Sequence, residues 1–197
     1  VSTPSPREQM TLGAAQLLSR AGLAEASFRN VVALTGAPRG SIYHHFPGGK
    51  DEMVAEAMRT VGVRVVGALQ RAEVEAPVDV LAVLAGLFRR VLVDSACDAG
   101  CAVAAVAGSD AAGPLASQAA TEVFTSWVSA LTACFESAGV DPARSAGLAT
   151  LTLATVEGAL VTARAAGEVA PYDLAVDELS RLLGGAADAR ATSGRED

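Results

Sequence analysis

At 197 residues with three cysteines, the chain is long enough to bury a core and lacks the cysteines of a disulfide-stapled framework. Its 51% hydrophobic content comes mainly from Ala, Val and Leu, with aromatics at only 4%, a mixture that favours helices over strands. The net charge of −7 is unevenly placed: residues 1–50 hold Arg7, Arg20, Arg29, Arg39 and Lys50 against Glu8 and Glu25, and the acidic excess lies beyond them. That asymmetry is expected where only the N-terminal part meets phosphates.

In chain order, Val1–Met10 is polar without an apolar core, so no signal peptide is expected and the cytoplasm is the expected location. Ser5-Pro6-Arg7-Glu8 marks a helix start, with Ser as N-cap, Pro at the first helical position and Glu three residues after the cap. Met10, Ala14, Leu17, Leu18 and Ala21 then share one helical face. A long helix follows from near Lys50, with Val54, Ala57, Val61, Val65 and Ala68 inward. Further faces are formed by Val80, Leu84, Leu87, Phe88 and Val91, and by Phe124, Trp127, Val128, Leu131 and Phe135. Pro77, Pro114, Asp141-Pro142 and Pro171 open later helices, and Gly22, Gly36, Gly139 and Gly167 stand where helices should stop. The apolar run from Ala146 to Ala163 is broken by Glu157 and several Thr and reads as a buried helix, so no membrane partner is expected. The expected fold is all-α, with about nine helices and disordered tails.

Residues 28–46 carry the motif with chemical content. Ser27 caps a short helix bearing Phe28, Val31, Val32 and Leu34, Gly36 supplies a sharp turn, and Pro38 starts a second short helix through Phe46. Two short helices joined by a tight glycine turn describe a helix-turn-helix, whose second helix enters the major groove. Gly40 lets backbone approach DNA closely, Arg39 can read guanine or hold phosphate, and Ser41 and Thr35 can donate to phosphate oxygens. Lys50 opens the next helix, where its charge and the free amides favour phosphate.

The run Gly40-Ser41-Ile42-Tyr43-His44-His45-Phe46 followed by Lys50-Asp51-Glu52 resembles the DNA-binding signature of TetR-family regulators. Phe46-Pro47-Gly48-Gly49 and Gly100-Cys101 are similar to its LmrA/YxaF-like branch, whereas Ala37, Pro38 and Ala102 depart from the family pattern. The resemblance implies backbone contacts from Tyr43 and His44, with Ile42 and Phe46 turned inward. It also implies a helix-turn-helix domain over residues 1–50, a ligand-binding and dimerisation domain over 51–187, and leaves 188–197 as tail. The implied partners are double-stranded operator DNA, a second copy of the chain, and a small apolar or aromatic ligand that releases a repressor.

For the ligand, the bulky or polar residues on otherwise apolar helices are Phe88, Cys101, Phe124, Trp127 and Glu157, each of which can equally be ordinary core. For the dimer, Gly147, Leu151, Ala154 and Gly158 form a strip of one helix, and Leu179, Leu182 and Leu183 lie on the broad apolar face of the last. The alternative is that both faces are consumed within one subunit. Cys97 and Cys101, read as one helical turn apart, admit a redox-responsive regulator, although inert buried thiols serve equally. A helical small-molecule binding protein without DNA function is the other alternative. No catalytic residue, metal site or cofactor is expected: no carboxylate pair stands out, and Gly48-Gly49-Lys50 lacks the rest of a phosphate loop.

Overall fold

Apart from Pro38, the helix starts written into the sequence lie at or within a residue of those the chain uses. The computed structural model describes residues 4–38, 40 and 42–193, with residues 185–193 as backbone alone. Among these residues the chain forms nine helices and no strand: α1 Pro6–Glu25, α2 Phe28–Thr35, α3 Ile42–His45, α4 Gly49–Arg71, α5 Pro77–Asp94, α6 Ala102–Ala107, α7 Pro114–Ser137, α8 Pro142–Ala166 and α9 Ala170–Ser193. Ser5 and Glu8 close a reciprocal capping box at α1, Ser27 Oγ accepts from Asn30 N at 3.2 Å at α2, and Asp141 Oδ1 accepts from Ala143 N at 2.9 Å at α8. Gly36 and Gly167 end α2 and α8 in the left-handed region at φ 69° and 72°, where a side chain would be strained.

Two local readings are corrected. The second short helix spans Ile42–His45, not Pro38–Phe46. Neither Ala37 nor Pro38 offers a side-chain oxygen to cap a start there, and Gly40 weakens a helix interior. Cys97 and Cys101 do not share a helical turn: α5 ends at Asp94, the chain passes through left-handed Ala96 (φ 51°) and Cys97 (φ 62°), and Cys101 is the N-cap of α6. Ser95 Oγ donates back to Leu92 O at 3.2 Å and so competes with continuation of α5. Of the expected tail, residues 188–193 continue the backbone of α9, and 194–197 lie outside the described residues.

The described residues of Val1–Arg64 and Ala99–Trp127 form one compact unit, and those of Val65–Asp98 and Val128–Asp197 form another. In the first, α1 packs on α2 and α6, and Met10, Ala14, Leu18, Val31, Ile42 and Phe46 are buried. Gly13 is where Thr35 of α2 comes so close that an added Cβ would lie 2.5 Å from its methyl. Gly100 N, just before α6, donates to Ser19 O of α1 at 2.8 Å. The first-unit parts of α4 and α7 also close on each other at a glycine: a Cβ on Gly62 would meet both γ carbons of Val123 at 3.0 Å, and Trp127 Nε1 donates to Gly62 O at 3.2 Å.

The second unit is built from α5, α8 and α9, with Val80, Leu84, Phe88, Leu153, Val156 and Leu160 buried. The buried Tyr172 hydroxyl donates to Ala85 O at 2.8 Å, and burial, with the nearby Asp173 and Glu157 charges, holds its ionisation well above the usual phenol range. Arg89 grips Asp173 bidentately at 2.8 and 2.9 Å.

The apolar run of α8 is not the buried helix the sequence suggests. It buries 39% of its most apolar stretch, through Ala149, Thr152, Val156, Ala159 and Ala163, while Gly147, Leu151, Ala154, Gly158 and Val161 face outward. A helix of 25 residues this apolar is long enough to cross a membrane, but the exposed residues recur at every third or fourth position, as on one side of a packed helix. The apolar face of α9 divides likewise, with Leu179 and Leu183 buried at 4% exposure and Leu174 and Leu182 exposed at 70% and 62%. An apolar groove of about 470 Å³ opens between these helices, with Leu148, Leu151, Leu179, Leu182 and Leu183 in its walls.

The glycines separate close packing from open space. Gly62→Val should destabilise the chain by about 1–3 kcal/mol, because extra methyls would be forced against Val123. Gly86→Ala should stabilise it by about 0.5–1 kcal/mol, since the helical site has nothing within 4 Å of an added Cβ. Chemical denaturation of both variants checks the pair, and equal effects would contradict the packing described.

Candidate nucleic-acid interface

The single turn of α3 sorts its side chains by depth. Ile42 and the following Phe46 are buried, His45 is half-buried, and Tyr43 and His44 are exposed, Tyr43 at 69%. The Tyr43 ring stands edge-on against Phe28 of α2 at 5.2 Å and 88°, and Phe28 in turn lies 6.4 Å from Phe46. Tyr43 is thus steadied at its ring while most of its surface stays open. Gly40 sits in the exposed turn before α3, and no described atom lies within 4 Å of an added Cβ. Packing within the described chain therefore does not demand a glycine there. Arg39 and Ser41 lie outside the described residues.

Arg7 holds this turn from behind. Its Nη1 donates to His45 O at 2.7 Å, its Nε lies 2.9 and 3.0 Å from the two carboxylate oxygens of Glu56, and its Nη2 pairs with Glu56 and, at 3.3 Å, with Glu52. The guanidinium also lies over the Phe46 ring at 5.0 Å. One planar cation therefore ties the first turn of α1 to the end of α3 and to two turns of α4. Bonding to Arg7 and its charge hold the Glu56 carboxyl below the usual carboxylate range, with a smaller contribution from the Thr11 hydroxyl at 3.3 Å, and Glu56 raises the ionisation of Arg7. Sequence reading missed this cluster, since pairing across 49 residues leaves no local pattern.

Two expected phosphate contacts have partners within the chain. Lys50 Nζ donates to Leu23 O at 2.6 Å and reaches Ala24 O at 3.5 Å, closing the last turn of α1. Thr35 Oγ1 donates to Val31 O at 2.8 Å and accepts from Ala37 N at 3.3 Å, at the turn into α3. Glu52 Oε2 accepts from Gly48 N at 2.7 Å and caps the start of α4. Tyr43 and His44 are left as the outward-facing side chains of α3.

The expected ligand residues divide between the units. In the first, Trp127 is fully buried, Phe124 is half-buried at 5.5 Å and 89° from it, and Cys101 Sγ accepts from Ala104 N at 3.4 Å. In the second, Phe88 is buried and Glu157 half-buried. The groove between α8 and α9 is lined by none of the five.

An exposed aromatic and histidine on a turn clamped behind a capped two-helix frame define a helix-turn-helix of the kind that meets DNA. Residues 12–57 match the family described as bacterial regulatory proteins, tetR family, and residues 77–178 match the C-terminal domain of LmrA/YxaF-like transcriptional regulators. An uncharacterized HTH-type transcriptional regulator of Mycobacterium tuberculosis is 35% identical over 185 residues, covering 90% of this chain and 94% of its own. The HTH-type transcriptional regulator LmrA of Bacillus subtilis is 36% identical over 52 residues, 26% of this chain and 28% of its own. A TetR transcriptional regulator from Legionella pneumophila shares the fold at a TM-score of 0.78 and 18% identity, covering 93% of this chain and all of that one. The chain belongs to the TetR family of transcriptional regulators, in its LmrA/YxaF-like branch.

The Arg7 cluster has a definite response to acid. A carboxyl held low in the folded state contributes stability that is full above its ordinary value of 4.5 and is lost as the pH falls through the lowered folded value. Arg7→Ala should cost about 1–2 kcal/mol near neutral pH, reduced from a buried charge pair because the guanidinium is partly exposed. The difference from wild type should shrink below pH 4.5 in denaturation curves. A difference that stays constant into acid would show that Glu56 is not the group Arg7 works through.

Proposed function

We propose that the protein is a repressor that grips a near-palindromic operator as a homodimer and is released by a small apolar or aromatic ligand. The observation that carries this reading is the outward presentation of Tyr43 and His44 from a turn whose inner side is locked by Ile42, Phe46 and Arg7. Residues 1–50 serve as the DNA-binding head and 51–187 as the ligand and dimer part. Arg39, Gly40, Ser41, Tyr43 and His44 meet DNA directly, and the open space beside Gly40 leaves room for a phosphate backbone. Thr35 and Lys50 act at its edge, through the turn and the end of α1 that they hold.

The dimer reading rests on the outward faces of α8 and α9. Gly147, Leu151, Ala154 and Gly158 of α8 and Leu182 of α9 are exposed and apolar or small, while Leu179 and Leu183 of α9 are buried. A two-fold pairing of α8 and α9 would bury the exposed residues in a four-helix bundle. The ligand acts on α7 at Phe124 and Trp127, an aromatic pair whose Trp127 bonds Gly62 O of α4. By linkage it binds the DNA-free state more tightly, and DNA weakens its binding by the same factor. Work on DNA places the protein in the cytoplasm.

The test is binding of the purified chain to a duplex from the region upstream of its own gene, followed by fluorescence anisotropy at several salt concentrations. Wild type should bind with a steep salt dependence, and Tyr43→Ala should weaken it without changing the fold. Lys50→Ala should lower affinity with a salt slope changed by less than about one, because its ammonium is bonded to Leu23 O. A wild-type chain that binds this duplex no better than unrelated DNA would count against the repressor reading. Gly158→Arg should yield folded monomer in sedimentation, and a folded dimer would move the interface elsewhere.

A further inference from the structure

Of the contacts made by the first two turns of α4, one reaches past the head to α7. Asp51 Oδ2 accepts from Leu115 N and Asp51 Oδ1 from Ala116 N, both at 2.9 Å. The free amides that open a helix are ordinarily capped by the residue just before it. Here that residue is Gly113, which has no side chain, and a Cβ on it would lie 2.4–2.6 Å from the Asp51 carboxyl. The local cap is missing because a remote carboxylate occupies its place.

We infer that Asp51 is a positioning residue of the DNA-binding head, tethering the start of α7 to the turn of α4 that follows the recognition helix. The inference rests on the regulator reading above and adds the part through which α7 acts. Asp51 stands between Lys50, bonded to Leu23 O of α1, and Glu52, which pairs with Arg7. Arg7 in turn holds His45 O, the last carbonyl of α3. Further along, Arg59 pairs with Glu122 at 2.9 Å, Val123 lies against Gly62, and Trp127 bonds Gly62 O. α4 and α7 are therefore matched at points spread over three turns. A slide of α7 along its axis must either break the Asp51 bonds or carry the first turn of α4 with it, and that turn carries α3. A ligand that displaces Phe124 or Trp127 pulls on the other end of the same strip.

Capping and tethering are separable. Asp51→Ala removes both, while Asp51→Ala combined with Gly113→Ser restores a local cap in the space the carboxylate vacates and leaves α7 untied. Three readouts follow on each protein: the melting temperature, hydrogen exchange of the Phe46, Met53 and Val54 amides, and affinity for the upstream duplex against the same duplex with one base pair inserted at its centre. The single variant should melt earlier and exchange faster at these amides. The double variant should recover the melting temperature, yet still exchange about fivefold or more faster than wild type and discriminate less between the duplexes. Restored exchange at these amides in the double variant, or wild-type exchange in the single one, would overturn the tether. Exchange needs no DNA, so a wild type that ignores the extra base pair sinks the operator reading while the exchange result still decides the tether.

Discussion

The helix at Ile42–His45 makes one hydrogen-bonded turn, and one turn has no stability of its own, so whatever presents it outward must come from the frame around it. That frame has two parts. Ile42 and Phe46 sink one side into the core, and Arg7 fixes the closing carbonyl at His45 while anchored on Glu52 and Glu56. Remove the frame and the same four residues would be a loop. The rigidity a DNA reader needs is thus supplied at a distance, by the first turn of α1 and the first two turns of α4.

This explains why α4 starts with such dense polar chemistry. Lys50 reaches α1, Asp51 reaches α7, and Glu52 reaches both Arg7 and its own helix start. Three consecutive charged residues point three ways because consecutive positions on a helix are separated by about 100°. A run that the sequence offers as a helix start facing phosphate is bonded to α1, α7 and the start of α4 itself. Its partners are largely backbone carbonyls and amides, which a neighbouring substitution cannot remove.

What the sequence made legible was whatever is local. Ser5, Ser27, Asp141, Gly36 and Gly167 act within a turn of themselves, so their roles follow from position. Spacing also picks out the buried Met10, Ala14 and Leu18 of α1 and Val80, Leu84 and Phe88 of α5, although Ala21, placed on the same α1 face, is exposed. What it left dark depends on tertiary partners. Nothing near Arg7 points to Glu56, and nothing near Gly113 says its cap arrives from Asp51. Spacing gave α9 one broad apolar face but could not separate Leu179 and Leu183, which turn inward, from Leu174 and Leu182, which do not. Side-chain chemistry alone made Lys50 and Thr35 read as phosphate contacts, while their bonds to Leu23 O and Val31 O stayed hidden.

The passage from α5 to α6 holds two neighbouring residues, Ala96 and Cys97, in a backbone region that side chains disfavour by roughly 1–2 kcal/mol each. The contacts around them sustain that penalty, among them the bond from Cys97 N to Leu92 O at 2.7 Å. The division between the two compact units falls one residue later, between Asp98 and Ala99. A glycine at either position would adopt the same backbone without that penalty, so the strain held between α5 and α6 would fall while the chain there gained conformational freedom.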